Sequence, residues 1–125
     1  YWSGQVSKIY PEAKSGWVFS RNDLIVKLEQ KLTEIGLNKK EISDMLDYWI
    51  PELLKKDSPY YRITLFQNAD MNNFILLNIK PKPDTTIRVF LDWEPLLKPI
   101  VVQPETLYHI DRKGFTVVEW GGIKK

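Results

Sequence analysis

The spacing of apolar residues changes twice along this chain of 125 residues, and those changes limit the folds open to it. Over residues 22–56 the apolar positions recur every three or four residues, as on one face of an amphipathic helix. On either side they form short runs or alternate with polar residues, which is typical of strands. The sequence therefore predicts an α+β fold, a mostly antiparallel β-sheet or small β-sandwich with an inserted two-helix hairpin.

Two helices are predicted within residues 22–56. The apolar stripe of the first helix consists of Leu24, Ile25, Leu28, Leu32 and Ile35. Gly36 suits the left-handed residue that follows a helix, and Asn38 with Glu41 has the spacing of a capping box for the second helix. The buried face of the second helix consists of Ile42, Met45, Leu46 and Trp49. Pro51 is expected to end or kink this helix, because it lacks a backbone donor and clashes with the preceding turn.

The second half of the chain, residues 59–122, is predicted to be a β region. The predicted strands cover residues 60–66, 74–80, 85–93, 99–103 and 115–120. Residues 67–73 are polar and are predicted to form a loop. The short connections favour antiparallel neighbours, because a parallel pair needs a crossover of a dozen or more residues. Residues 1–21 add two short strands before the helices.

The length suits a single domain over residues 1–125. The sequence opens on Tyr1 and Trp2 with no preceding Met, so we expect it to be the C-terminal part of a longer unit. A domain without the start of its first strand would have an exposed sheet edge. Such an edge offers a route for assembly with a partner.

Composition argues against several classes of function. The net charge of +2 gives no electrostatic case for a nucleic-acid partner, and no apolar run is long enough for a transmembrane segment. The absence of Cys and the single His speak against thiolate and multi-histidine metal centres. The run from Asp70 to Asn72 resembles half of a calcium loop but lacks its Gly and distal Glu. We therefore expect no cofactor and no metal.

No catalytic residue can be assigned from the sequence. His109 is the only imidazole, and Asp111 two residues later could orient it as a general base, but no nucleophile accompanies them. Phosphate-binding and nucleophile-elbow motifs are absent. Nothing in the pattern brings Asp92 and Glu119 to the separation of about 5 Å that a retaining glycosidase needs. The sequence therefore leans against an enzyme.

One ion pair is predicted inside the sheet. Glu119 lies between apolar neighbours in the last strand, so its carboxylate is expected to be partly buried and to need a cationic partner. Arg88 alternates with apolar residues in the strand over 85–93. If the two strands are adjacent, Arg88 and Glu119 form a structural salt bridge.

Aromatic residues make up 13% of the chain and suggest a place for a ligand. Packing in the core accounts for Trp49, Trp93 and Trp120. This leaves Trp17, Tyr60 and Tyr61 as candidate ligand-binding platforms, because flat aromatic faces stack on sugar rings.

Four motifs together resemble a known family. They are Gly36-Leu37-Asn38, Tyr48-Trp49-Ile50-Pro51, the run Pro-Asp-Thr-Thr-Ile-Arg-Val-Phe over 83–90, and Gly-Phe-Thr-Val-Val-Glu-Trp-Gly-Gly over 114–122. This set resembles an uncharacterised family of secreted or envelope-associated bacterial proteins. Its members begin the region with a strand of the form Lys-Pro-Val-Ile-Tyr-Leu-Tyr-Pro, which is absent here, and carry Glu where this chain has Ser3.

The resemblance implies a fold and an extracellular or cell-envelope location, but no chemistry. Together with the missing catalytic signatures, it favours a non-catalytic module for interaction or structural support, with an unknown protein or glycan as partner. The alternative is a carbohydrate-binding or carbohydrate-active domain that uses the aromatic residues and the cluster of Arg88, Asp92 and Glu119.

Overall fold

Five strands and three helices make up the structure, a computed structural model that describes residues 2–3, 13–72 and 81–125. The strands are β1 (Trp2–Ser3), β2 (Trp17–Ser20), β3 (Tyr60–Phe66), β4 (Thr85–Leu96) and β5 (Thr116–Lys124). The helices are α1 (Leu24–Ile35), α2 (Lys39–Leu54) and α3 (Asn68–Asn72). The predicted α+β class, with a helical hairpin inserted between strands, is confirmed.

The strands form one mixed sheet in the order β1-β5-β4-β3-β2. The pairs β2·β3 and β3·β4 are antiparallel. The expectation of antiparallel neighbours is wrong for β4 and β5, which pair in parallel, and β1 is also parallel to β5. The predicted strand over 99–103 is not formed either. Residues 97–115 are instead one irregular crossover, long enough to return the chain for parallel pairing.

The helical hairpin follows its sequence signals closely. Gly36 ends α1 with a positive φ of 119°, where an added Cβ would also lie 2.7 Å from the Ile110 carbonyl oxygen. Asn38 and Glu41 form the expected capping box at the start of α2. Pro51 does not end α2, which continues through it to Leu54.

Alternation along the strands gives the sheet two different faces. The helix-facing side forms the main core with both long helices through these strand residues: Phe19, Tyr61, Ile63, Leu65, Ile87, Val89, Leu91 and Trp93. The opposite face carries Arg62, Arg88 and Asp92, together with a smaller apolar cluster around Phe66 and Phe90. The charged residues therefore share the face that the hairpin does not cover.

The crossover is tied to the end of α1. The Ile110 N–H donates to the Ile35 carbonyl oxygen at 2.8 Å, and Arg112 bonds both the Gly36 carbonyl and the Glu41 carboxylate. Burial raises the pKa of Glu41, but the bonds from Arg112 and from the Asn38 N–H outweigh that effect and leave its pKa below the usual value. Arg112 thus joins the crossover to both helices.

Two predictions between β3 and β4 have different outcomes. The polar segment 67–73 is not simply a loop, because residues 68–72 form α3, and the Asp70 carboxylate accepts a bond from the Gln67 N–H at 2.9 Å. The predicted strand over 74–80 lies outside the described residues.

Candidate functional site

A buried ion-pair network occupies the centre of the sheet face away from the hairpin. Arg62 on β3 donates to the Asp92 carboxylate on β4 at 2.6 Å, and the Asp92 side chain is completely buried. The Lys125 ammonium lies 3.3 Å from the other Asp92 oxygen. That oxygen makes no hydrogen bond of acceptable geometry, so this contact is electrostatic only. Asp92 is thus neutralised from both sides.

Arg88 and Glu119 are direct partners across the parallel pair β4·β5. Arg88 Nη2 lies 3.3 Å from Glu119 Oε1, and the side chains are 1% and 17% exposed. The second carboxylate oxygen, Oε2, is buried and accepts no hydrogen bond. The structure therefore brings together the two residues that the sequence predicted as an ion pair, with one acceptor to spare.

Asp92 and Glu119 are not cross-strand partners. Asp92 lies opposite Ile123, whereas Glu119 lies opposite Arg88, four residues away along the strands. With a rise of about 3.3 Å per residue, the two positions are roughly 13 Å apart. Each carboxylate is instead paired with a cation of its own, Asp92 with Arg62 and Glu119 with Arg88.

His109 lies on the surface of the crossover. Its Nε2 is 3.3 Å from the Asp111 carboxylate, and its Nδ1 is 3.0 Å from the Glu34 carbonyl oxygen at the end of α1. Both ring nitrogens thus have a partner, and the group lies against a helix end. Over residues 13–72 and 81–125, no cluster of three His, Cys, Asp or Glu side chains could hold a metal ion.

The three predicted ligand platforms lie apart. Tyr61 is fully buried, where its hydroxyl accepts from Arg21 and donates to the Lys56 carbonyl, each at 2.8 Å. Its ring therefore has no face for a ligand, because it belongs to the main core. Trp17 packs against that core, with its ring stacked on Phe19 and covered by the Lys31 ammonium.

Tyr60 points to the opposite face of β3 from Tyr61 and lies at a pocket of about 450 Å³. The pocket is formed by the turn between β2 and α1 and the turn between α2 and β3. Its lining consists of Ser20, Arg21, Asn22, Asp57, Ser58, Pro59 and Tyr60. Of the three predicted platforms, only Tyr60 lines this pocket.

The outer edge of β5 is the second open feature. In the described part of the chain, β1 covers that edge only at Gly121 and Gly122. Residues Thr116–Glu119 pair with β4 on their other side, and none of the strands in the described part of the chain pairs with them on this one. A further parallel strand at this edge would continue the line of β1.

A third exposed feature is an apolar segment of the crossover, which was not predicted from the sequence to be exposed. Leu97, Ile100 and Val101 are 82%, 47% and 101% exposed, and the last two lie in the segment 99–103 that was predicted to be a strand. Pro99 and Pro104 interrupt this run and cannot donate to a ladder. These prolines were the available signal that the segment stays outside the sheet.

Comparisons of the chain with protein-family models, with curated proteins and with solved structures find no match. None of the helices among the described residues is long and apolar enough to cross a lipid bilayer.

Proposed function

We propose that this chain is a non-catalytic interaction module that binds an extended protein segment as a parallel strand on the outer edge of β5. The observation that carries this proposal is the edge over Thr116–Glu119, which no described residue pairs although it continues the line of β1. Unpaired backbone groups at a sheet edge are a ready template for strand addition. Main-chain hydrogen bonds then provide affinity, and side-chain contacts provide specificity.

The buried charges support binding rather than catalysis. Arg62, Asp92 and Lys125 are bonded or paired with one another, and Arg88 is paired with Glu119. Each group would have to give up a buried partner before it could act on a substrate. Breaking such a pair leaves an uncompensated charge and is strongly unfavourable.

The side chains along the edge define the chemistry of the partner. On the helix-facing side Val118 packs on the core, and the rings of Trp120 and Tyr48 lie 5.8 Å apart. This surface suits an aliphatic side chain. On the other side, the Glu119 side chain is 17% exposed and carries a carboxylate that favours a cationic side chain beside it. A segment that alternates aliphatic and lysine residues satisfies both surfaces at once.

A synthetic peptide tests this proposal. The probe is the peptide acetyl-Val-Lys-Val-Lys-Val-Lys-Val-amide. It is titrated into the isotopically labelled chain, and binding is followed through the NMR chemical shifts of the backbone amides. We expect shifts over 116–119 and little change at Arg62, which lies on β3 in the interior of the sheet. The same peptide with Glu in place of each Lys should bind about tenfold more weakly, because it places a carboxylate against Glu119.

Two variants separate edge binding from general electrostatic attraction. Glu119→Gln should reduce the preference for the lysine peptide, whereas Glu94→Gln should not, because Glu94 lies on the interior strand β4. An N-methylated peptide should not bind, since it cannot complete the ladder. Equal binding of both charge versions, shifts confined to residues away from β5 and Tyr48, or a dimer that pairs through this edge would overturn the proposed partner.

The location belongs to the same proposal. The resemblance to secreted or envelope-associated bacterial proteins supports an extracellular or envelope site of action. Fractionation of cells that express the natural gene product tests it: the protein should be in the envelope or medium fraction. Recovery in the cytosolic fraction alone would contradict this part of the proposal.

A further inference from the structure

We infer that the pocket beside Tyr60 is a binding site for a neutral saccharide. This site is separate from the β5 edge, because β2 and β3 lie at the other end of the sheet. Its volume of about 450 Å³ falls within the usual range for small-molecule sites. The inference therefore does not depend on strand addition.

The pocket contains polar side chains that the protein itself does not use. Within the described residues, the side chains of Ser20, Asn22, Asp57 and Ser58 form no hydrogen bond or ion pair. Ser58 is 9% exposed, and its hydroxyl lies at the wall of the pocket without a partner from the protein. Polar side chains that lack a protein partner at the wall of a pocket are available to hydrogen-bond a ligand.

The chemistry of the lining favours hydroxyl groups over a charged ligand. Arg21 is the only cation in the pocket lining, and its guanidinium already donates to the carbonyl oxygens of Leu54 and Lys56 and to the Tyr61 hydroxyl. The Asp57 carboxylate would repel an anion. Hydroxyl, amide and carboxylate groups together can both donate to and accept from sugar hydroxyls.

The Tyr60 ring supplies the apolar part of the site. It is half-buried at the start of β3 and lies beside the polar groups. An aromatic ring with a polar tip suits a sugar, which has an apolar ring face and polar edges. The α1 N-terminus lies next to Asn22, and no side chain caps it. Its free N–H groups add further donors near the pocket.

A glycan array that carries neutral, sialylated and sulfated oligosaccharides tests the site, followed by amide-shift titration with the neutral glycan that binds best. We expect neutral glycans to bind and to shift the amide signals of residues 20–22, 57, 58 and 60. Tyr60→Ala and Asp57→Ala should each weaken binding about tenfold or more. Tyr60→Phe keeps the ring and should retain most of the affinity.

The control is Tyr108→Ala, because Tyr108 is 70% exposed on the crossover and lies outside the pocket. It should leave glycan binding unchanged. Binding of no neutral glycan would overturn the inference, as would a glycan that binds Asp57→Ala and Tyr60→Ala as well as the unaltered chain. Asp57 lies in an exposed turn, so its variant is expected to fold even if Tyr60→Ala does not.

Discussion

The indole of Trp49 on α2 lies directly against the backbone of Gly122 on β5. A Cβ added at Gly122 would be 2.7 Å from Trp49 Cζ2 and 2.7 Å from the Leu91 carbonyl oxygen. Trp49 is 5% exposed, so its ring has little room to move away. This contact holds the helical hairpin on the parallel half of the sheet and explains why a glycine lies near the end of β5.

Gly122→Ala should lower the free energy of unfolding by about 1–3 kcal/mol, the usual cost of overpacking a filled core. Chemical denaturation measures it. In a Trp49→Phe background the same change should cost less, since the smaller ring removes one of the two clashes. A cost that is the same in both backgrounds would show that the indole is not what restricts this position.

Glu119→Ala should lower the free energy of unfolding by about 3 kcal/mol, because Arg88 would then be buried without its carboxylate. The exposure of Glu119, at 17%, lets some water in and places the effect at the lower end for buried pairs. Glu94→Ala is the matched control. The Glu94 side chain is 44% exposed and 3.6 Å from Arg62, so less than about 1 kcal/mol is expected. If Glu119→Ala and Glu94→Ala lowered the free energy of unfolding by the same small amount, a structural role for the ion pair of Arg88 and Glu119 would be contradicted.

Glu105 should make the stability of the chain depend on pH. Its carboxylate accepts a bond from the Leu65 N–H at 2.9 Å. The pKa of Glu105 is raised from 4.5 to about 7, because burial and the nearby Asp70 carboxylate together outweigh the opposing effects of the Leu65 bond and Lys31. The folded chain therefore holds the proton more tightly than the unfolded chain. The stability that this tighter proton binding contributes to the fold is fully present below about pH 4.5 and is lost as the pH rises through about 7.

Urea denaturation at about pH 5 and about pH 8 measures this effect. The unaltered chain should lose more stability between the two values than Glu105→Gln, which keeps an acceptor for Leu65 but cannot ionise. If the free energy of unfolding of the two proteins changed equally with pH, Glu105 would ionise in the folded chain as it does in water.

Tyr61→Phe should lower the free energy of unfolding by about 1–2 kcal/mol, because Arg21 and the Lys56 carbonyl lose a buried hydroxyl partner. It should leave glycan binding unchanged, since Tyr61 is fully buried. Thermal denaturation and the glycan array measure the two effects. Loss of glycan binding with unchanged stability would place Tyr61 in the ligand site after all.

Local signals predicted the helical hairpin well. The leucine stripe of α1, Gly36 and the Asn38 capping box depend only on nearby residues, so the sequence specifies them directly. Pro51 was expected to end or kink α2, and the helix does not end there but continues to Leu54. Leu53 beyond it is completely buried, and such tertiary packing supplies most of the stability of helices in proteins.

The sheet and the candidate sites were harder to predict, because they depend on which strands become neighbours. Alternation indicated that Glu119 and Arg88 are semi-buried, but not that their strands are parallel. Adjacent residues in a strand face opposite sides, so Tyr60 and Tyr61 could not both line one site. The pocket at Tyr60 also needs Asn22 and Asp57, which come from two turns separated by the whole hairpin. No local sequence pattern indicates that these two turns lie close together in the fold.

Amide hydrogen exchange along β5 tests the proposed docking edge most directly. In the free chain, alternate amides over Thr116–Glu119 should exchange much faster than those of Ile87–Leu91, which lie in the interior strand β4. Addition of the alternating valine–lysine peptide should slow the fast amides and leave the others unchanged. Uniform slow exchange over 116–119 in the free chain, or fast exchange that the peptide does not alter, would contradict the proposal that this edge receives a strand.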